Sequence, residues 1–74
     1  MNALTERELK VLEIERKVFR YAATKEKMIR DQLGITATRY YQILNALLDN
    51  PLAIAEAPVA LNRLRRVLDA RLSR

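Results

Sequence analysis

An all-α domain of four to five helices is what this chain predicts, and three observations predict it. Apolar residues recur at helical spacing through its longer segments. Residues suited to capping helix starts stand at Thr5, Thr36 and Asn50. The single glycine, Gly34, sits where one apolar-periodic segment ends and the next begins, a position that calls for left-handed backbone.

The first helix is expected over 5–22. Leu4-Thr5-Glu6-Arg7-Glu8 has the form of a capping box, in which Thr5 accepts from the amide of Glu8 and Glu8 reaches back to Thr5. Val11, Ile14, Val18 and Ala22 would form the centre of its apolar face, and Leu12 and Phe19 widen the arc beyond what a simple surface helix needs. So wide an arc suits either the centre of the core or a dimer contact. A chain of 74 residues needs nearly every apolar side chain it has, which favours the core.

Residues 25–49 carry the pattern with the most functional content. A helix should run to Leu33, with Thr24 as its cap, although Lys27 rather than a carboxylate follows three residues later. It stops at Gly34, and Thr36 then caps a second helix, leaving a turn of about three residues. Ile29, Leu33, Ile35, Tyr40 and Ile43 are apolar where two helices crossing steeply must lock, while Arg30 stands where close approach usually wants a small residue. This is the spacing of a helix-turn-helix.

At about 100° per residue, Tyr40, Ile43, Leu44 and Leu47 share one face of the second helix, and Thr38, Gln42 and Asn45 fall nearly opposite. In a DNA-binding helix-turn-helix the second helix enters the major groove with its N-terminal residues on base edges. Gln42 and Asn45 can pair bidentately with adenine, Thr38 can donate or accept, and Arg39 on the flank can reach guanine or a phosphate. Tyr41 also lies on a flank, where its hydroxyl would touch a phosphate or its ring would cover the edge of the core. A solvated face on an ordinary amphipathic helix has the same periodicity, and it is the Leu-Gly-Ile-Thr turn of residues 33–36 that favours DNA.

Asn50-Pro51 stops that helix and starts a short one over 51–56, since Asn caps and proline tolerates the first helical position. A last helix is expected over 59–72, opened by Pro58. Leu61, Leu64 and Leu68 form one face, and Arg63, Arg65 and Arg66 spread over the other. Charge is unevenly distributed. Of 14 basic and 9 acidic side chains, residues 59–74 hold five basic and one acidic, against five and four in residues 1–22 and four and three in residues 23–50. An arginine cluster beside a helix-turn-helix suits phosphate attachment, because each neutralised phosphate releases counterions and adds affinity without regard to sequence. Alone, the same cluster would read as a basic tail or a patch for an acidic protein.

Composition narrows the chemistry. Without cysteine or histidine the chain has no means of thiol catalysis, structural zinc or imidazole acid-base chemistry. Its carboxylates alternate with lysine and arginine at helical spacing, as surface pairs do, and no glycine-rich phosphate loop accompanies them. No catalytic residue, cofactor site or metal ligand is therefore expected, and an enzyme is a distant third choice. Residues 1–8 are charged and lack an apolar signal core, no apolar run approaches the ~18 residues of a membrane span, and a cytoplasmic protein is expected. With no repeat, flexible linker or low-complexity stretch, residues 1–74 form a single expected domain.

Leu4-Thr5-Glu6-Arg7-Glu8, Lys25-Glu26 with Ile29-Arg30, Ala37-Thr38-Arg39-Tyr40-Tyr41-Gln42, Leu44-Asn45-Ala46-Leu47 with Asp49 and Pro51, and Arg63-Leu64-Arg65-Arg66 together resemble a small family of actinobacterial and actinophage proteins. That family is uncharacterised in function and treated as helix-turn-helix domains. The match covers nearly the whole chain, and Thr38–Gln42 is its most specific part. Where the family usually carries two tryptophans late in the first helix, this chain has Val18-Phe19, a departure that bears on the size of the core. The resemblance implies the fold and leaves the role open.

The expectation is a protein that binds duplex DNA as a small transcriptional regulator or nucleoid-associated factor. Thr38, Gln42 and Asn45 would read bases, Thr36, Arg39 and Tyr41 would position the helix, and Arg63, Arg65 and Arg66 would hold the backbone. One module of this size gives modest specificity, so a homodimer on two half-sites or a larger assembly is expected. The alternative is a protein-interaction module docking on RNA polymerase, a sigma factor or another regulator, because a fold does not dictate a function.

Overall fold

The structure, a computed structural model, describes residues 3–72, with side chains to Arg71. The described residues form five α-helices and no strand: α1 (Glu6–Glu15), α2 (Ala22–Leu33), α3 (Ala37–Leu47), α4 (Pro51–Glu56) and α5 (Pro58–Leu72). The all-α expectation holds.

Local chemistry explains most of the boundaries. At the start of α1 the Glu8 amide donates to Thr5 Oγ1 at 3.1 Å and the Thr5 amide to Glu8 Oε1 at 2.8 Å, so the box satisfies two helix-end donors reciprocally. Gly34 ends α2 at φ 65°, its amide donating to Arg30 O at 2.9 Å. Thr36 opens α3 by accepting from the Arg39 amide at 3.1 Å. Asn50 opens α4 by accepting from the Leu52 amide at 2.9 Å, with Pro51 in the first turn.

The first helix is shorter than expected. It ends at Glu15 rather than near Ala22, and a six-residue connection, Arg16–Tyr21, follows. Val18, expected at the centre of the apolar face, is 86% exposed, and Ala22 is exposed as well, whereas Phe19 packs on the edge of the core. Valine, phenylalanine and tyrosine are all weaker helix formers than alanine or leucine, and the long-range contacts of the following helices favour a reversal here. Lys17 tightens the last turn by donating to Ile14 O, and Arg63 from α5 donates to Glu15 O, so the C-terminus of α1 is met by a group 48 residues away.

The early stop moves the start of α2 back to Ala22. Tyr21 stands at the cap without a side-chain hydrogen bond, and Thr24, expected as the cap, lies inside the first turn with its amide donating to Tyr21 O.

Val11, Leu12 and Ile14 of α1, Ile29 of α2, and Tyr40, Leu44 and Leu47 of α3 are all but fully buried. They form one core, joined by Leu48, Ala53, Ala57, Ala60 and Leu61. α1 packs against α2, α3 and α5 and so lies at the centre, as its wide apolar arc requires. Three buried alanines, Ala53, Ala57 and Ala60, let the α4–α5 corner come close to that centre. Arg30 is exposed, so the side chains that bring α2 and α3 together are Ile29, Leu33, Ile35 and Ile43.

Candidate nucleic-acid interface

The inner face of α3 is anchored through Tyr40. Its ring is buried, and its hydroxyl donates to Glu15 Oε1 at 2.6 Å, with Val11 O a more distant neighbour at 3.4 Å. The Lys25 ammonium meets the same carboxylate oxygen at 2.6 Å and lies over the rings of Tyr40 and Tyr41, 5.5 and 5.4 Å from their centroids. Three helices thus meet on one buried carboxylate, whose charge is offset by a charge-assisted hydrogen bond and a cation. Burial, and then the hydrogen bond and negative charge of Glu15, push the Tyr40 phenol far above the ordinary tyrosine range, so it stays a donor.

With that face anchored, the polar side chains of α3 turn outward. Thr38, Arg39, Gln42 and Asn45 are all exposed, and Tyr41 is 43% exposed. Thr38, Gln42 and Asn45 lie within about 60° of one another around the helix, flanked by Arg39 on one side and Tyr41 on the other. Arg39 Nη1 donates to Gln42 Oε1 at 3.3 Å, pairing two side chains in the first two turns of the helix. Tyr41 and Asn45 instead border a groove of about 270 Å³ between α3 and α5, floored by Leu44, Leu64 and Leu68. Tyr41 packs edge-on against Tyr40, ring centroids 5.1 Å apart, and it also lines a shallower cleft over Val18 and Phe19. The Tyr41 ring therefore covers the edge of the core. Thr36 accepts the Arg39 amide on its hydroxyl oxygen and so begins α3, its own O–H remaining a donor.

The three arginines of α5 spread around the helix. Arg63 donates to Glu15 O at 3.0 Å, where α1 ends. Arg65 donates to Leu48 O at 2.5 Å, where α3 ends, and stands 3.9 Å from Asp49. The two are about 200° apart around the helix, on opposite flanks. Arg66 is exposed on the outer side, away from Leu61 and Leu64. A fourth arginine follows the same rule: Arg16 donates to Glu56 O at the end of α4 and pairs with the Glu56 carboxylate at 3.5 Å. Cations here meet the orphan carbonyls and negative dipole ends of α1, α3 and α4.

Sequence reasoning did not find Glu15 or Lys25. The available signal was Glu15's position one turn after Val11, in line with the apolar face of α1, where an unpaired carboxylate is costly. Among the described residues no cluster of three carboxylates is placed to hold a metal, and no helix is long and apolar enough to cross a membrane.

These features define a class: an all-α domain of five helices whose third helix is locked by one face and carries a polar face outward. The chain belongs to the family described as protein of unknown function DUF3263, whose model matches residues 3–74. No curated protein and no solved structure gives a significant match.

Proposed function

We propose that this protein binds duplex DNA, using α2, the Gly34 turn and α3 as a helix-turn-helix and α3 as the element that enters the major groove. One observation carries this reading. The first two turns of α3 present Thr38, Arg39 and Gln42 to solvent while Tyr40, Leu44 and Leu47 are locked against α1, so the polar face is rigidly held and uncovered. The net charge of +5 supports it, since a basic surface raises the local concentration of a polyanion.

In this reading Thr38, Arg39 and Gln42 face bases, and Asn45 and Tyr41 reach the groove edge on the α5 side. Arg66 meets phosphate directly. Arg63 and Arg65 each hold a helix end and keep further N–H donors for phosphate, a guanidinium having five. The role is that of a small cytoplasmic regulator or nucleoid-associated factor, acting as a homodimer on two half-sites.

Titration of fluorescent random-sequence duplex and of fragmented genomic DNA at several salt concentrations tests the reading. Binding that weakens steeply with salt supports it, and no binding at low salt overturns it. A second reading, docking on a protein of the transcription machinery, is favoured by Val18 and Tyr21, 86% and 64% exposed on the α1–α2 connection beside the cleft lined by Tyr41. In that case the same titration is flat and Val18 substitutions abolish capture of the partner.

A further inference from the structure

We infer that Arg39 and Gln42 act as one unit that selects guanine, with Arg39 as the base-contacting residue and Gln42 as the residue that positions it. The inference rests on the DNA-binding reading and names the base that reading leaves open.

The geometry begins with Thr36. Its hydroxyl fixes the Arg39 amide at 3.1 Å, so Arg39 is the third residue of α3, at the end of a recognition helix that lies nearest the bases. Gln42 follows one turn later, and its Oε1 accepts from Arg39 Nη1 at 3.3 Å. Oε1 is the only acceptor atom in the two side chains, because guanidinium has none. The bond takes one of that oxygen's two lone pairs, so the pair carries several donors, the amide Nε2 hydrogens and the remaining guanidinium hydrogens, against one remaining acceptor position.

A row of donors matches one base edge best. Guanine shows two acceptors, N7 and O6, in the major groove. Adenine pairs an acceptor with a donor and is met by an amide that both accepts and donates, and cytosine shows a donor alone. A free glutamine would favour adenine, but to pair with adenine here Gln42 would have to share its oxygen with Arg39 or release it. The bond also restrains the long arginine side chain before binding, which lowers the ordering cost of docking it on a base.

Selection from a randomised duplex pool by the wild-type protein, followed by titration of the selected duplex and its guanine-to-adenine variant, tests this. The wild type should prefer guanine about tenfold or more, an interval set by one good bidentate contact. Arg39→Ala should abolish the preference and Gln42→Ala should reduce it. Gln42→Glu, which still accepts from Arg39 but has lost the amide donors, should keep it. Ratios between two duplexes cancel any effect of a variant on folding or overall charge. An adenine preference that Gln42→Glu destroys and Arg39→Ala spares would overturn the inference, as would duplex binding with no base preference. No binding to any duplex would overturn the DNA-binding reading itself.

Discussion

The Tyr40 hydroxyl and the Glu15 carboxylate, 25 residues apart in sequence, are joined by a 2.6 Å hydrogen bond inside the protein. The bond connects α1 to the helix that presents the candidate interface. Its strength comes from its setting: Glu15 is only 8% exposed, and its other contact on the same oxygen is the Lys25 ammonium. Removing the phenol leaves that carboxylate short of a donor. Tyr40→Phe should therefore cost about 1.5–3 kcal/mol in urea unfolding, the range for a hydrogen bond to a charged group. A double-mutant cycle with Glu15→Ala should return a coupling energy of about 1 kcal/mol, and an additive pair would show that the contact contributes nothing.

The same bond makes stability depend on pH in the alkaline range. Burial and Glu15 raise the folded-state pKa of Tyr40 above its unfolded value of about 10. The protonated phenol is favoured by folding, so this contribution is complete below pH ~10 and is lost as pH rises above it, by up to about 1.4 kcal/mol per unit. Urea melts between pH 9 and 11 should show a steeper decline for the wild type than for Tyr40→Phe. Equal slopes would mean that Tyr40 ionises as an exposed tyrosine does.

Gly34 provides a test of the turn between α2 and α3. At φ 65° an alanine is strained, yet a Cβ built there meets no atom within 4 Å. The cost of Gly34→Ala is thus conformational alone, about 1–2 kcal/mol. For a domain of this size each kcal/mol lowers Tm by roughly 4–8 °C. Gly34→Asn should be milder, since asparagine tolerates the left-handed region. Equal melting temperatures for all three would show that the turn adopts another conformation.

What the sequence made legible, and what it hid, follows from the range of the interactions involved. Thr5 with Glu8, Thr36 with Arg39 and Asn50 with Leu52 are capping contacts between residues two or three apart, and a local pattern specifies them. The outward position of Thr38 and Gln42 was equally readable, since it follows from helical periodicity once Tyr40 and Leu44 are inside. The end of α1 was not. Val18 continues the register of Val11 and Ile14, so the apolar pattern runs past the point where the helix stops, and the group that meets that end is Arg63, in another helix. The roles of Arg63 and Arg65 were hidden for the same reason. Nothing near them in sequence distinguishes an arginine that holds a distant carbonyl from Arg66, which faces solvent.

Val18 provides the direct check on that helix end. With 86% of it exposed, Val18→Ser should change stability by less than about 0.5 kcal/mol, whereas Ile14→Ala, fully buried one turn earlier, should cost about 2–5 kcal/mol. A continuous helix through residue 22 would bury both side chains and give two large losses. Comparison of the two melts decides between these structures without any ligand.

The arginines of α5 separate stability from affinity. Arg63→Ala removes the donor to Glu15 O and leaves the C-terminus of α1 with an uncompensated carbonyl, so it should lower unfolding free energy by about 1 kcal/mol. Arg66→Ala removes an exposed cation on the outer side of the same helix and should leave the melt within about 0.5 kcal/mol of wild type. In DNA titrations the order changes. Arg66→Ala should weaken binding to all duplexes alike and reduce the salt slope by about one, while leaving sequence preference untouched. Asn45→Ala, by contrast, should shift preference between duplexes by about 1–3 kcal/mol at an unchanged salt slope if its amide reaches a base edge across the α3–α5 groove. Should Arg66→Ala leave the salt slope unaltered, the outer side of α5 does not touch phosphate. The basic helix then serves the fold alone, through Arg63 and Arg65.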